Sequence, residues 1–139
     1  MWTTEHIGRS PLPVEQIWRT FVDVHAGRLT LPGGDVFEPD GELAVGTRIA
    51  VTPAGQDRMI STVTEFDRGR RYADVTEIEG ITLTFSHDFR PDGAGTVVTH
   101  RLRIDGPGAD GVGPELGPQI SADFPEQLQA LFAAADGRP

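Results

Sequence analysis

The strongest constraint on the fold is a pair of alternating segments joined by a turn-forming linker. In residues 81–89 the odd positions are apolar, apart from His87, and the even positions are polar. Residues 96–105 alternate in the opposite phase, and His100 lies on their apolar side. Side chains alternate across a β-strand, and the linker at 90–95 holds the proline and glycines that tight turns favour. The sequence therefore predicts an antiparallel hairpin with both histidines on its inner face.

The turns at the two ends of the first strand limit how its neighbours pair with it. The linker length allows a register with His87 opposite His100, or one with His87 opposite Val98. On the other side, a two-residue turn at 79–80 fixes the pairing and places Tyr72 opposite His87. In either case, polar groups should be present within an apolar surface.

Tyr72, His87 and His100 should then form a row across three strands. Asp74 follows Tyr72 on the same face, and Glu65 could extend the row on the adjacent strand. Imidazole titrates near neutral pH and a tyrosine hydroxyl can donate to a developing enolate, so the row suits proton transfer beside a ketone. Alternatively, these groups satisfy one another or bind water, as buried polar groups usually do, or they recognise a ligand.

The rest of the chain indicates an α+β fold. Val14, Ile17, Trp18 and Phe21 have the spacing of one helical face, so a helix should begin at or just after Pro13. The other predicted elements, in chain order, are a strand at 2–8, a long connection at 23–41 that could contain a helical turn, strands at 43–51, 59–65 and 72–78, and a glycine-rich link at 105–114.

A terminal helix follows from apolar residues that recur along one face. Pro125 falls inside this pattern, so it should kink the helix or divide it, and Gly137 should end it. The residues of this face are Ile120, Phe124, Leu128, Leu131 and Ala135.

Composition narrows the possible functions. A chain of 139 residues has the length of one domain, 1–139. The absence of cysteine and lysine excludes disulfides, thiolate nucleophiles and Schiff-base chemistry. With a net charge of −9 and scattered arginines, nucleic acid is not an expected partner. Neither a signal peptide nor a membrane span is evident, so we expect a cytoplasmic protein, and the composition favours a bacterial source.

Four motifs carry a resemblance to a known superfamily: Pro13-Val14-Glu15-Gln16-Ile17-Trp18, Leu43-Ala44-Val45-Gly46-Thr47, the segment 63–72, and Gly95-Thr96-Val97-Val98-Thr99-His100. With them the chain resembles the START/Bet v 1-like (SRPBCC) superfamily, and within it the bacterial polyketide cyclase/dehydrase-like branch. The resemblance implies a helix-grip fold, in which a curved antiparallel sheet of about six or seven strands wraps a long C-terminal helix. It also implies an apolar interior cavity for lipids, aromatic polyketides or similar molecules.

Candidate site residues follow from this arrangement. Tyr72, His87 and His100 are the candidate catalytic residues, with histidine as general base and Tyr72 as donor to a carbonyl oxygen. The predicted ligand-binding residues are Asp74, Leu83, Phe85, Phe89, Val98, Leu102, Phe124 and Leu128. Two imidazoles with Asp74 or Glu65 have ligand types that suit zinc, but their spacing matches no metal motif, so neither a metal nor a cofactor is predicted.

Three functions remain open at this point. The first is binding of a hydrophobic small molecule by a carrier or sensor, because the inner faces are mostly apolar and the chain has no cofactor motif. The second is a cofactor-independent polyketide cyclase or dehydratase. The third is a chaperone-activator-like interaction module that uses the outer surface. The expected partner is a hydrophobic small molecule, and a homodimer is compatible with the sequence.

Overall fold

A seven-stranded antiparallel sheet is the central element of the computed structural model, which describes residues 1–138. The strands lie in the order β1-β7-β6-β5-β4-β3-β2, and the sheet is open. The elements are β1 (Trp2–Ser10), α1 (Val14–His25), β2 (Val36–Pro39), β3 (Arg48–Thr52), β4 (Met59–Asp67), β5 (Arg71–Ile78), β6 (Ile81–Asp92), β7 (Gly95–Asp105), α2 (Ala109–Ser121) and α3 (Phe124–Asp136). This is the predicted helix-grip α+β architecture.

The central hairpin adopts the register that brings the histidines together. His87 lies opposite His100 across β6 and β7, and Tyr72 lies opposite His87 across β5 and β6. Gly80 takes a φ of 75° in the turn between β5 and β6, which a glycine tolerates without strain. The predicted polar row of Tyr72, His87 and His100 is therefore confirmed.

β1 and α1 cover one end of the sheet. β1 pairs antiparallel with β7 along its whole length, and this register places His6 opposite His100. Pro13 precedes the first residue of α1, as predicted. The buried face of α1 includes Ile17, Trp18 and Phe21, which pack onto the sheet because their spacing places them on one side of the helix.

The long connection at 23–41 contains a strand and not the helical turn that the sequence suggested. β2 pairs with β3, and Phe37 lies opposite Val51. Gly27, just after α1, has a φ of 80°, and a Cβ atom on it would lie 2.7 Å from the carbonyl oxygen of Phe37. The close approach of two backbones, which only glycine permits, directs the chain from α1 into this edge strand.

The strand predicted at 43–51 begins later than its alternating pattern indicates. β3 begins at Arg48, because residues 43–47 form a turn. Gly46 has a φ of 95°, and the Thr47 hydroxyl donates a hydrogen bond of 2.6 Å to the carbonyl oxygen of Glu42. These local contacts outweigh the weak strand preference of a short apolar alternation.

A β-bulge in β4 changes which side of the sheet Glu65 faces. The register with β5 shifts between Val63, which pairs with Asp74, and Glu65. An inserted residue reverses the facing of every residue that follows it. The Glu65 carboxylate therefore leaves the inner face and accepts a 2.7 Å hydrogen bond from Arg71. The prediction that Glu65 extends the inner row is wrong.

The C-terminal region forms two helices. α2 begins at Ala109, inside the segment predicted to be a glycine-rich link, and it continues through Pro114 and Pro118. The division near Pro125 is confirmed. The proline lies in the first turn of α3, where a backbone N–H would have no partner within the helix, so its absence removes no helical hydrogen bond. α3 ends at Asp136, immediately before Gly137, as predicted.

Two glycines of α2 leave room for the indole of Trp2, which lies in β1. A Cβ atom on Gly113 would lie 2.7 Å from the Trp2 side chain, and one on Gly117 would lie 2.2 Å from it. No side chain other than hydrogen fits at these distances, so the two glycines let α2 approach the sheet closely. This contact accounts for a helix in a segment of low intrinsic helix propensity.

Buried apolar side chains form two clusters on the inner face of the sheet. One lies under α1 around Trp18 and Phe21, and the other lies under α2 around Leu102 and Ile104. No helix within residues 1–138 is long and apolar enough to cross a membrane. Between the two clusters the interior is hollow, and this hollow is the candidate site.

Candidate functional site

A cavity of about 430 Å³ lies between the inner face of the sheet, α1 and the two C-terminal helices. This volume is in the range of small-molecule sites in proteins. Its wall is mostly apolar and aromatic, and the buried polar side chains in it lie on strands of the sheet, except for His25 on α1. Prominent wall residues are Phe21, His25, Leu31, Phe37, Tyr72, Asp74, Leu83, Phe85, His87, His100, Leu116, Ile120, Phe124, Leu128 and Leu131.

Most of the sequence-predicted site residues line this cavity. They are Tyr72, Asp74, Leu83, Phe85, His87, His100, Phe124 and Leu128. The structure brings them together because the confirmed registers of β5, β6 and β7 place the sheet residues side by side and α3 lies across them.

Three predicted ligand-binding residues lie outside the cavity wall. Phe89 packs edge-on against Trp18, with ring centroids 5.0 Å apart, and Val98 lies opposite Phe89 in the hairpin. Leu102 is fully buried in the cluster under α2. The inner face of the hairpin is longer than the cavity, so helix side chains cover its two ends and leave only its middle open.

His87 and His100 form the centre of an aromatic stack. Their ring centroids lie 3.8 Å apart with an interplanar angle of 24°. Phe124 stacks on the other face of His100 at 3.6 Å, and Phe21 contacts His87 at 4.7 Å. The stack fixes both imidazoles in the wall between α1 and α3.

Neither imidazole of this pair has a hydrogen-bond partner among the described residues. The Nδ1 atoms of His87 and His100 are both buried and unpaired. Burial lowers the pKa of His100 to about 3 and places the pKa of His87 well below its usual value, an effect that the neighbouring imidazoles reinforce. Both rings are therefore neutral at pH 7.

His25 also contributes to the wall, and the sequence did not single it out as a site residue. Its Nδ1 atom lies 3.1 Å from the Phe21 carbonyl oxygen in the last turn of α1. Its ring stacks on Phe21 at 4.0 Å and lies 4.3 Å from Phe37. Burial lowers its pKa to about 4. The sequence feature that could have identified His25 as a wall residue is its position four residues after Phe21, on the apolar face of α1.

Tyr72 and Asp74 form a buried hydrogen-bonded pair beside the imidazoles. The Tyr72 hydroxyl donates to Oδ2 of Asp74 at 2.9 Å. Burial raises the pKa of Asp74 to about 6, while the hydrogen bond from Tyr72 and the nearby Ser61 hydroxyl oppose that rise. Burial and the adjacent carboxylate raise the pKa of Tyr72. The pair therefore places a weakly acidic carboxyl group and a hydroxyl that stays protonated in an apolar cavity.

The outer part of the cavity is lined by exposed polar side chains. Gln56, Gln119 and Asp123 are exposed, and Asp35 lies nearby in the same wall. Burial and the negative charge of Asp123 raise the pKa of Asp35. Over the described part of the chain, no three histidine, aspartate or glutamate side chains are arranged to hold a metal ion.

The fold and cavity together define the class. A curved antiparallel sheet that grips a C-terminal helix over an interior cavity is the Bet v 1-like helix-grip architecture. The model of the family described as "Polyketide cyclase / dehydrase and lipid transport" matches residues 1–136, so the chain belongs to that family. No curated protein sequence matches the chain.

Several solved structures share the fold. Norcoclaurine synthase from Thalictrum flavum, in complex with dopamine and hydroxybenzaldehyde, superposes with a TM-score of 0.77 at 12% identity, over 99% of this chain and 87% of that one. Ara h 8.0201 gives 0.74 at 14% identity, over 98% of each chain. A Thermus thermophilus protein gives 0.73 at 16% identity, over 97% of each chain.

Proposed function

We propose that this protein binds a hydrophobic small molecule in its interior cavity, as a carrier or sensor. The observation that carries the proposal is the hollow of about 430 Å³ with a mostly apolar wall, in a fold whose centre could have been filled by side chains. Membership of a polyketide cyclase and lipid transport family supports the same class of ligand. An open interior gives no support to an interaction module that works through its outer surface.

A cavity-filling substitution tests this proposal. Leu116 on α2 lines the cavity, so Leu116→Trp places an indole in the space that a ligand would occupy. Val112 on the same helix is 41% exposed and lies outside the wall, so Val112→Trp is the matched control. The readouts are native mass spectrometry for copurifying apolar ligands and thermal shifts with a panel of lipids and aromatic compounds.

Binding stabilises a folded protein by an amount that increases with the logarithm of the ratio of ligand concentration to Kd. We expect the wild type and Val112→Trp to carry ligand or to show concentration-dependent increases in Tm, and Leu116→Trp to lose both. The proposal fails if no compound shifts the wild type, or if Leu116→Trp binds as well as the wild type.

A second candidate function is cofactor-independent cyclisation or dehydration of a polyketide. The observation that favours it is the buried pair of Tyr72 and Asp74, because a carboxylate with a pKa of about 6 is a stronger base than an ordinary aspartate. In this mechanism Asp74 removes a proton from carbon beside a ketone, and a neighbouring neutral group donates to the enolate oxygen. The candidate donors are Tyr72, His87 and His100.

Single isosteric substitutions separate turnover from binding. With a synthetic linear aromatic polyketone, Asp74→Asn, His87→Gln and His100→Gln should each reduce turnover by on the order of a hundredfold if the replaced group transfers a proton. Asp35→Asn, which removes a carboxylate from the outer part of the cavity, is the control. Unchanged turnover in all three inner variants, or no turnover in the wild type, excludes this function for the substrate tested.

A further inference from the structure

The charged side chains that line the cavity are all acidic. Asp74 lies in the inner wall, and Asp35 and Asp123 lie in its outer part. None of the arginines among residues 1–138 lines the cavity, and the whole chain has no lysine. The three histidines of the wall are neutral at pH 7, since burial lowers the pKa of each. The field inside the cavity is therefore negative.

Asp74 is a buried carboxylate that has no cationic partner. Asp74 is 5% exposed, and its one side-chain hydrogen bond within residues 1–138 comes from the neutral hydroxyl of Tyr72. By contrast, the half-buried Asp88 accepts two hydrogen bonds, of 2.8 and 2.7 Å, from Arg71 on the outer face. Buried carboxylates are normally paired with a cation, because desolvation of an unpaired charge is unfavourable. None of residues 1–138 supplies a cation to Asp74.

The wall around Asp74 also suits a cation and an aromatic group. Phe85 lies directly opposite Asp74 across β5 and β6, and the ring of Tyr72 lies on the same face. Aromatic faces attract ammonium groups and stack on aromatic ligands. In the same wall, the buried Nδ1 atoms of His87 and His100 lack partners. The inner wall thus contains several polar groups that the protein itself leaves unsatisfied.

We propose that the ligand of this cavity is an aromatic amine whose protonated nitrogen pairs with Asp74 and whose apolar part fills the remaining space. This inference rests on the proposed function and adds the charge of the ligand to it. Neutral ligands bind more weakly because they leave Asp74 without a counterion. Carboxylated ligands bind most weakly because they place a second negative charge among acidic side chains.

Three probes with one apolar part and different head groups test the sign of the charge. They are 4-phenylbutylamine, 4-phenylbutanol and 4-phenylbutyrate, with binding measured by isothermal titration calorimetry at pH 7.5. We expect the amine to bind at least about tenfold more tightly than the alcohol, and the butyrate to bind most weakly. This comparison uses the wild-type protein, so it does not depend on any variant folding.

The variant Asp74→Asn then tests whether the preference for the amine depends on Asp74. The variant should lose the preference for the amine over the alcohol. Glu115→Gln on the exposed surface of α2 makes the same change in net charge outside the cavity and should keep the preference.

The outcomes separate this inference from the proposed function. If the alcohol binds as tightly as the amine, or the butyrate binds best, the ligand is not cationic, although the cavity still binds apolar molecules. If the amine preference survives Asp74→Asn, its origin lies elsewhere and the assignment of Asp74 is wrong. If none of the three probes binds, both the inference and the proposed function are contradicted.

Discussion

His87 and His100 face each other directly across β6 and β7, with stacked rings 3.8 Å apart, and neither Nδ1 atom has a hydrogen-bond partner among the described residues. A buried unsatisfied polar group is unfavourable by about 1–3 kcal/mol. The stack therefore stabilises the fold less than an apolar pair of the same shape would. A part for both rings in the proposed ligand site, whose wall they line, would account for this disadvantage.

Stability should fall as the pH decreases below 6.5. His25, His87 and His100 have lowered pKa values in the folded state, so the unfolded chain binds their protons first and stability is lost as the pH falls from 6.5 toward about 4. Asp74 opposes this, because its raised pKa of about 6 adds stability below that pH. Three groups outweigh one, so urea unfolding should show a loss on the order of 2–4 kcal/mol between pH 7 and pH 5. In His87→Leu/His100→Leu the loss should be much smaller, and an equal loss would contradict the assignment.

Replacement of single histidines by leucine at pH 7.5 should distinguish unpaired from paired imidazoles. His100→Leu removes an unsatisfied Nδ1 atom, so the free energy of unfolding should be unchanged or higher. His25→Leu removes the contact of Nδ1 with the Phe21 carbonyl oxygen, so it should lower that free energy by about 1 kcal/mol. Chemical denaturation of both variants measures the difference, and equal effects would show that the hydrogen bonding of the two rings does not differ in energy.

Tyr72→Phe should raise the pKa of Asp74 above about 6. The Tyr72 hydroxyl donates to the ionised carboxylate, so its removal destabilises the charged form relative to the neutral acid. A carbon-detected NMR titration of the Asp74 carboxyl group measures the shift. Phe66→Leu, at a partly buried apolar residue outside the cavity wall, is the control for general repacking. An unchanged or lower pKa in Tyr72→Phe would show that the hydrogen bond is not formed in solution.

Two glycine substitutions in α2 should have opposite signs. Gly117→Ala places a Cβ atom 2.2 Å from the Trp2 ring, so it should lower the free energy of unfolding by about 1–3 kcal/mol. Gly111 has open space around its Cβ position, so Gly111→Ala should raise that free energy by about 0.5–1 kcal/mol through higher helix propensity. Thermal and urea unfolding of the two variants measure the contrast. Stabilisation by both would mean that the indole of Trp2 is not held against α2.

The central registers could be predicted because side-chain alternation and short turns constrain them together. A strand of period two can slip only by even steps without moving its apolar face. The turn before β6 selects one pairing with β5, whereas the linker after β6 leaves two pairings with β7, of which the structure adopts the one with His87 opposite His100. Tyr72, His87 and His100 are adjacent for that reason. The same pairing of β5 with β6 places Asp74 opposite Phe85.

Other features depend on contacts that a linear pattern does not contain. The bulge after Val63 inserts one residue without any glycine or proline to mark it, so the outward turn of Glu65 has no local signal. The early start of α2 depends on Trp2, which lies far away in sequence and packs on two glycines that disfavour a helix by themselves. Phe89 and Val98 alternate correctly and face inward, but the extent of the cavity is set by the helices that cover them.

The break between α2 and α3 affects how a molecule can reach the interior. α2 contacts β1 and β7, whereas α3 contacts β1 and α1, so the two helices share β1 but differ in their second neighbour. We therefore expect a molecule wider than the opening to enter by displacement of the thirteen residues of α2, while α3 stays docked on α1. Such a partial opening has a smaller free energy than global unfolding, and its rate would limit both uptake and release.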